Sequence, residues 1–200
     1  APYNNAANTF SHHTLRLSNI TNGGTVTINN SGTIESQACC ALDFNSTTDA
    51  ITVTNSGTIK NVTSAAVAAR GTTNFTLNNS GTITGSGTMN VSGTPDNQKT
   101  VIDLSNQHAA ITGGTGATII NSGTIQASGN DYHGISIGTD EVGGDEEDAF
   151  DNVTITNSGT IAGDQTTGDG VDGHAIRVFG DSSGTTINVK GEPTFTGGID

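Results

Sequence analysis

One pentapeptide governs this chain. Asn-Ser-Gly-Thr-Ile occurs five times without a change, starting at Asn30, Asn55, Asn79, Asn121 and Asn157. A degenerate sixth copy, Gly191-Glu192-Pro193-Thr194-Phe195, keeps the threonine and a large apolar residue. The intervals between first residues are 25, 24, 42, 36 and 34. The two shortest define a unit of about 24 residues, and the longer ones read as that unit plus insertions. Such a unit is too small to bury a core alone, so successive units must stack.

An alternating segment precedes each copy. The segments are Val26-Thr27-Ile28-Asn29, Ile51-Thr52-Val53-Thr54, Phe75-Thr76-Leu77-Asn78, Ala117-Thr118-Ile119-Ile120, Val153-Thr154-Ile155-Thr156 and Ile187-Asn188-Val189-Lys190. Period two marks strands with one buried face. Counting on in twos turns the repeat's Asn, Gly and Ile inward. A buried amide without partners costs about 1–3 kcal/mol, so Asn30, Asn55, Asn79, Asn121 and Asn157 are expected to stack and bond to one another. The glycine is expected to supply the left-handed backbone of a sharp corner. A second strand lies upstream in every unit: Leu15-Arg16-Leu17, Leu42-Asp43-Phe44, Val67-Ala68-Ala69, Ile102-Asp103-Leu104, Ile135-Ser136-Ile137 and Ile176-Arg177-Val178.

Thr 34, Gly 28, Asn 21 and Ser 17 supply half of the 200 residues, while aromatics are 4% and Trp is absent. That excludes a broad core of large side chains but suits a narrow file of Val, Ile, Leu, Asn and Thr. The expected fold is all-β, a right-handed parallel β-helix of roughly six to seven coils about 4.8 Å apart. The seventh coil is expected in the 42-residue interval, beginning at Met89-Asn90-Val91. Residues 13–200 read as one solenoid domain with acidic insertions at 138–151 and 163–173. Residues 1–12 break the repeat and are expected to cover an edge or to add a strand to a neighbouring subunit.

Charge is uneven. Residues 1–130 carry 5 acidic and 4 basic side chains; residues 131–200 carry 14 and 2, a net of −12. An acidic third repels phosphate backbones and anionic lipid, which argues against nucleic-acid binding. No stretch approaches the roughly 20 apolar residues of a membrane-spanning helix. The opening Ala1-Pro2-Tyr3 reads as a processed or trimmed start. Cys39 and Cys40 are adjacent and make no disulfide framework.

The Asn-Ser-Gly-Thr-Ile coil, joined to a short strand such as Gly134-Ile135-Ser136-Ile137, resembles the passenger regions of bacterial autotransporters over residues 13–199. The resemblance implies a secreted right-handed parallel β-helix displayed at the bacterial cell surface. The chain departs from that family in lacking the aromatic-rich strands of a C-terminal membrane barrel. It therefore reads as an excised segment or as a free-standing secreted solenoid.

Four constellations bear on function. Thr27, Thr52, Thr76, Thr118 and Thr154 form one outward column, and Thr33, Thr58, Thr82, Thr124, Thr160 and Thr194 another. Ice-binding solenoids use such arrays, but threonine is also a strong strand former, and the neighbouring column mixes Asn29, Thr54, Asn78, Ile120, Thr156 and Lys190. His13, His133 and His174 share one coil position with Cys40, Ala65 and Thr100. His133 and His174 fall in consecutive coils, where they either stack or share a transition metal with Asp131 or Asp172. The acidic insertions offer Asp140, Glu141, Asp145, Asp148, Asp164, Asp169 and Asp172 as oxygen ligands for Ca²⁺, without EF-hand spacing. Finally, an outward column reads Arg16, Asp43, Ala68, Asp103, Ser136 and Arg177. It is expected to face solvent, with Arg16 and Asp43 paired at the surface. No carboxylate pair at a glycosidase separation emerges from it.

The function expected from these features is non-enzymatic and extracellular: surface display, adhesion, or assembly into a filament through the solenoid ends. The partners are then head-to-tail copies of the chain or a glycan or protein on a host or neighbouring cell. No cofactor is required; Ca²⁺ is a candidate. The alternatives are a glycan-active β-helix enzyme and a calcium- or ice-binding module.

Overall fold

Threonine and β-branched residues alternating in threes and fours favour short pleated strands, and strands this short need neighbours on both edges. The computed structural model describes residues 3–4, 8–10, 14–37, 40–86, 100–105, 114–128, 132–138, 150–164, 173–179 and 182–200. Among them there is no helix, and the strands form three parallel sheets wound as a right-handed parallel β-helix. Sheet A holds β1 (Tyr3–Asn4), β4 (Thr25–Asn30), β7 (Ala50–Asn55), β10 (Phe75–Asn79), β14 (Thr118–Asn121), β18 (Thr154–Asn157) and β21 (Thr186–Val189). Sheet B holds β2 (Asn8–Phe10), β5 (Thr33–Ser36), β8 (Thr58–Asn61), β11 (Thr82–Ser86), β15 (Thr124–Ser128), β19 (Thr160–Ala162) and β22 (Thr194–Thr196). Sheet C, the upstream strand of each unit, holds β3 (Leu15–Ser18), β6 (Leu42–Thr47), β9 (Val67–Thr72), β12 (Thr100–Leu104), β16 (His133–Ile137) and β20 (Ile176–Val178). A two-stranded ribbon, β13 (Gly114–Thr115) with β17 (Phe150–Asp151), links C to A in two coils.

The pentapeptide is the corner between sheets A and B. Asn30, Asn55, Asn79, Asn121 and Asn157 are at most 2% exposed. The Nδ2 of each of the first four donates to the Oδ1 of the next, at 2.7, 2.8, 2.8 and 2.8 Å. Each of these Nδ2 groups also reaches the carbonyl of the glycine two residues on and that of the next coil's threonine, as Asn79 does to Gly81 and Thr124. The file is thus satisfied along the stack and within each corner.

Glycine is required there for a reason other than the expected one. None of the glycines in the five exact copies has a positive φ. Instead, a Cβ at Gly57, Gly81 or Gly123 would lie 2.1 Å from the carbonyl oxygen of the preceding corner's glycine, and at Gly159 2.2 Å. Close stacking, not backbone handedness, excludes a side chain. Left-handed positions recur between sheets C and A instead, where Asn19, Ser46 and Gly71 take φ of 56°, 52° and 56°.

Inward columns fill the interior. Ile28, Val53, Leu77, Ile119 and Ile155 line sheet A; Ile34, Ile59, Ile83, Ile125 and Ile161 line sheet B; Leu42, Val67, Ile102, Ile135 and Ile176 line sheet C. Full burial of each such side chain contributes about 1.5–3 kcal/mol. Volume is balanced between neighbours: Phe44 and Phe75 meet at 5.8 Å between ring centres, and register places Phe44 beside the small Ala69.

Two expectations about coil count and register are corrected. β10 pairs directly with β14, and β11 with β15, so no rung of sheets A or B enters the 42-residue interval; Met89-Asn90-Val91 lies outside the described residues. The seventh rung of those sheets is N-terminal. There β1 places Tyr3 in register with Ile28, and β2 places Phe10 in register with Ser36. At the other end, Val189 rather than Gly191 aligns with Asn157, while Thr194 still aligns with Thr160. The last corner is therefore two residues longer, and the mixed outward column ends in Asn188, not Lys190. The threonine columns do run in register, with Thr186 extending the first.

Asn79→Ala, in mid-file, is expected to cost about 2–4 kcal/mol, from orphaned amide groups plus a cavity. Asn157→Ala, at the end of the file, is expected to cost about half as much, and urea unfolding midpoints compare the two.

Candidate functional site

Sheets A and B alternate buried with more open residues, as in β7 and β10. Sheet C does not. β6, β12 and β16 are buried at every residue. Asp43 is 2% exposed, and Ala68, Asp103 and Ser136 are fully buried. The column expected to face solvent does point away from the core, as its alternation requires, and solvent reaches Arg16 at its start, but Asp43, Ala68, Asp103 and Ser136 are buried. Period two reports which face a residue takes, not whether water wets that face.

Charged groups on a covered face need partners, and sheet C supplies them from its own columns. Arg70 stands two residues beyond Ala68 on the same side of β9. Its Nε donates to Asp103 Oδ2 at 2.9 Å, and its Nη2 lies 3.9 Å from Cys40 Sγ. One end of the column has the pair expected from sequence: Arg16 Nε lies 3.3 Å from Asp43 Oδ2. Arg16 is half exposed there, whereas Asp43 is not. Burial works against the Arg70 guanidinium's charge, but Asp103, Cys40, the hydrogen bond to Asp103, and Asp43 outweigh it and hold Arg70 above its ordinary value. Cys40, Ala65 and Ala68 form a small apolar cluster on this face. Asp103 Oδ1, Ser105 Oγ and Ser136 Oγ are buried without a hydrogen-bond partner among the described residues. Both described carboxylates of this column are thus set against an arginine.

The histidine column occupies the same sheet. Thr100 is in register with His133, and His133 and His174 stack with ring centres 5.5 Å apart and planes 23° from parallel. His133 Nδ1 accepts the backbone N–H of His174 at 2.9 Å, which puts the proton of the neutral ring on Nε2 and occupies the Nδ1 lone pair. Phe179 meets His133 edge-on at 6.0 Å, and the Arg177 guanidinium lies 4.5 Å from the Phe179 ring centre, a cation–π distance. Asp200 Oδ2 lies 3.9 Å from His174 Nε2 and 3.8 Å from Arg177 Nε. The structure thus brings His133 and His174 together. Among the described residues, no three His, Cys, Asp or Glu side chains are grouped to hold a metal ion. Of the acidic ligand candidates, Asp164 is described, its amide donating to the Tyr132 carbonyl at 2.9 Å. Asp140, Glu141, Asp145, Asp148, Asp169 and Asp172 lie outside the described residues, as do Asp131 and His13.

Arg70, Phe179 and Asp200 were not singled out by sequence reasoning. Parity offered a signal for Arg70, since a cation two residues past Ala68 shares a face with the Asp103 column. Asp200 offered none, because its place follows from a bridge between Ile176 and Ile199 that no repeat announces.

Arg70→Ala is expected to destabilise by about 3–5 kcal/mol, because Asp103 is then left charged and buried without its partner; chemical denaturation measures the loss. Tyr132 provides a pH test. Burial pushes its phenol up to about 12, above the value near 10 of an unfolded tyrosine. Its contribution to stability is then complete below about pH 10 and is lost as pH rises towards about 12. Tyrosinate absorbance and thermal unfolding followed across that window should change together, and Tyr132→Phe should flatten the stability profile.

No family model, curated protein or solved structure matches this chain. A stacked parallel β-helix is a shape that carries no family assignment by itself.

Proposed function

We propose that this chain is a non-enzymatic structural solenoid of the extracellular space or bacterial cell surface, similar in kind to an autotransporter passenger. It serves display, adhesion or end-to-end assembly and needs no cofactor. The observation that carries the reading is the continuous register of three sheets through every described coil, locked by the asparagine file. Such a stack is rigid, and it presents repeating threonine columns on the outer faces of sheets A and B. Neutralised charges on sheet C fit the same role, because the arginines and carboxylates there hold one another. Its partners are copies of itself or glycans and proteins of an apposed cell.

Labelled protein is expected to be retained on cell surfaces or glycan panels, to release no sugar from polysaccharides, and to melt at the same temperature with and without EDTA. Sugar release abolished by Asp103→Asn would replace this reading with the glycan-active one.

A further inference from the structure

The five asparagines of the file are held in the interior, at most 2% exposed, with their amides bonded along the stack. Asn22 is the opposite case. Of the 21 asparagines in the chain it alone is followed by glycine, and both residues are exposed. They lie between β3 and β4, where the chain passes from sheet C to sheet A. Gly23 takes φ of 73°, and a Cβ there would meet nothing within 4 Å. No side chain of its own shields the Gly23 nitrogen from the carboxamide that precedes it.

The next coil frames this link. The Ile20 carbonyl accepts the Thr48 N–H at 3.0 Å and the Thr47 hydroxyl at 2.7 Å, and the Gly24 carbonyl accepts the Ala50 N–H at 3.2 Å. Between these ties, the Gly23 N–H donates to Asp49 Oδ1 at 2.8 Å. Asp49 is only 4% exposed, and its own N–H donates to Thr47 Oγ1 at 3.3 Å. Its Oδ2 packs beside Gly24, where a Cβ would lie 3.1 Å away. A buried carboxylate is thus fixed on one backbone N–H, the one that follows an exposed carboxamide, at the separation that proton transfer needs.

We propose that Asn22 is a self-modifying site, at which the Gly23 amide nitrogen closes on the Asn22 side chain while Asp49 takes its proton. The nitrogen attacks Asn22 Cγ and a C–N bond forms. Asp49 Oδ1 receives the proton of that nitrogen and passes it to Asn22 Nδ2. The Cγ–Nδ2 bond then breaks, its electron pair leaves with the nitrogen as ammonia, and a five-membered cyclic imide remains. Water adds to either imide carbonyl and opens the ring, giving aspartate or isoaspartate at position 22. The hydrogen bond to Asp49 lies in the plane of the amide, whereas attack uses the π electrons above that plane, so the two do not compete. Holding base and nucleophile in place beforehand is what speeds such a closure. The product adds one negative charge to an exposed link and, as isoaspartate, one methylene to its backbone. Because the link lies outside the Asn-Ser-Gly corner, the file is untouched.

The test holds the folded full chain at neutral pH in water enriched in heavy oxygen and follows it by peptide mass spectrometry. Residue 22 should gain one solvent oxygen, as a mixture of aspartate and isoaspartate, while Asn30, Asn55, Asn79, Asn121 and Asn157 keep their amides. Conversion should be faster in the folded chain than in the same chain unfolded in guanidinium chloride. Asp49→Asn should slow the folded chain on the order of 10²-fold, the usual contribution of a positioned base, and leave the unfolded rate unchanged. Circular dichroism of Asp49→Asn comes first; if that variant does not fold, the comparison of folded with unfolded wild-type chain decides alone. An Asn22 amide that persists in the folded chain overturns the proposal. So does conversion that is slower folded than unfolded, and so does a folded Asp49→Asn variant that converts at the wild-type rate.

Discussion

A carboxamide set in a column of isoleucines survives only when both of its ends are engaged. Here the donor of one asparagine meets the acceptor of the next within 2.7–2.8 Å at four successive junctions, and the remaining hydrogen is shared between carbonyls of its own corner and the corner above. Bonds in such a chain polarise one another, and no single link can slip without orphaning two groups. The adjacent strands inherit their alignment from this file. So does the glycine column, whose carbonyls approach too closely for any side chain.

The three sheets serve different ends. Sheets A and B keep one face more open, and their outer columns are largely threonine, interrupted by Ile120 and by the Glu35–Lys60 pair. The middle strands β6, β12 and β16 of sheet C are covered on both faces, and the sheet carries the charges that need matching, Arg70 with Asp103 and Arg16 with Asp43. On that outer face Cys40, Ala65 and Ala68 pack against one another.

Much of this could be read in advance. The pentapeptide, the alternation before it and the upstream strands predict the lap, the inward columns and the asparagine file, because each reflects a local rule repeated five times. What escaped was non-repeating. The N-terminal rung has no pentapeptide, so Tyr3–Asn4 and Asn8–Phe10 looked like a break rather than strands. The last corner gained two residues, which displaced Val189 and Asn188 from their gapless alignment. Burial of Asp43 and Asp103 was hidden because alternation gives direction only. The partner of Asp103 lies 33 residues upstream, a distance over which a repeat suggests neighbours but not which of them meet.

The invariant corner has a bearing on how a chain like this tolerates change. Intervals of 25, 24, 42 and 36 residues all return to the same alignment, and the added length falls outside the two-residue Ser-Gly link between sheets A and B. Each lap is therefore re-phased at its asparagine, and the laps that follow a longer interval keep their alignment. Such a scaffold can acquire, lose or exchange its loops independently, one coil at a time, while the frame that carries them stays constant.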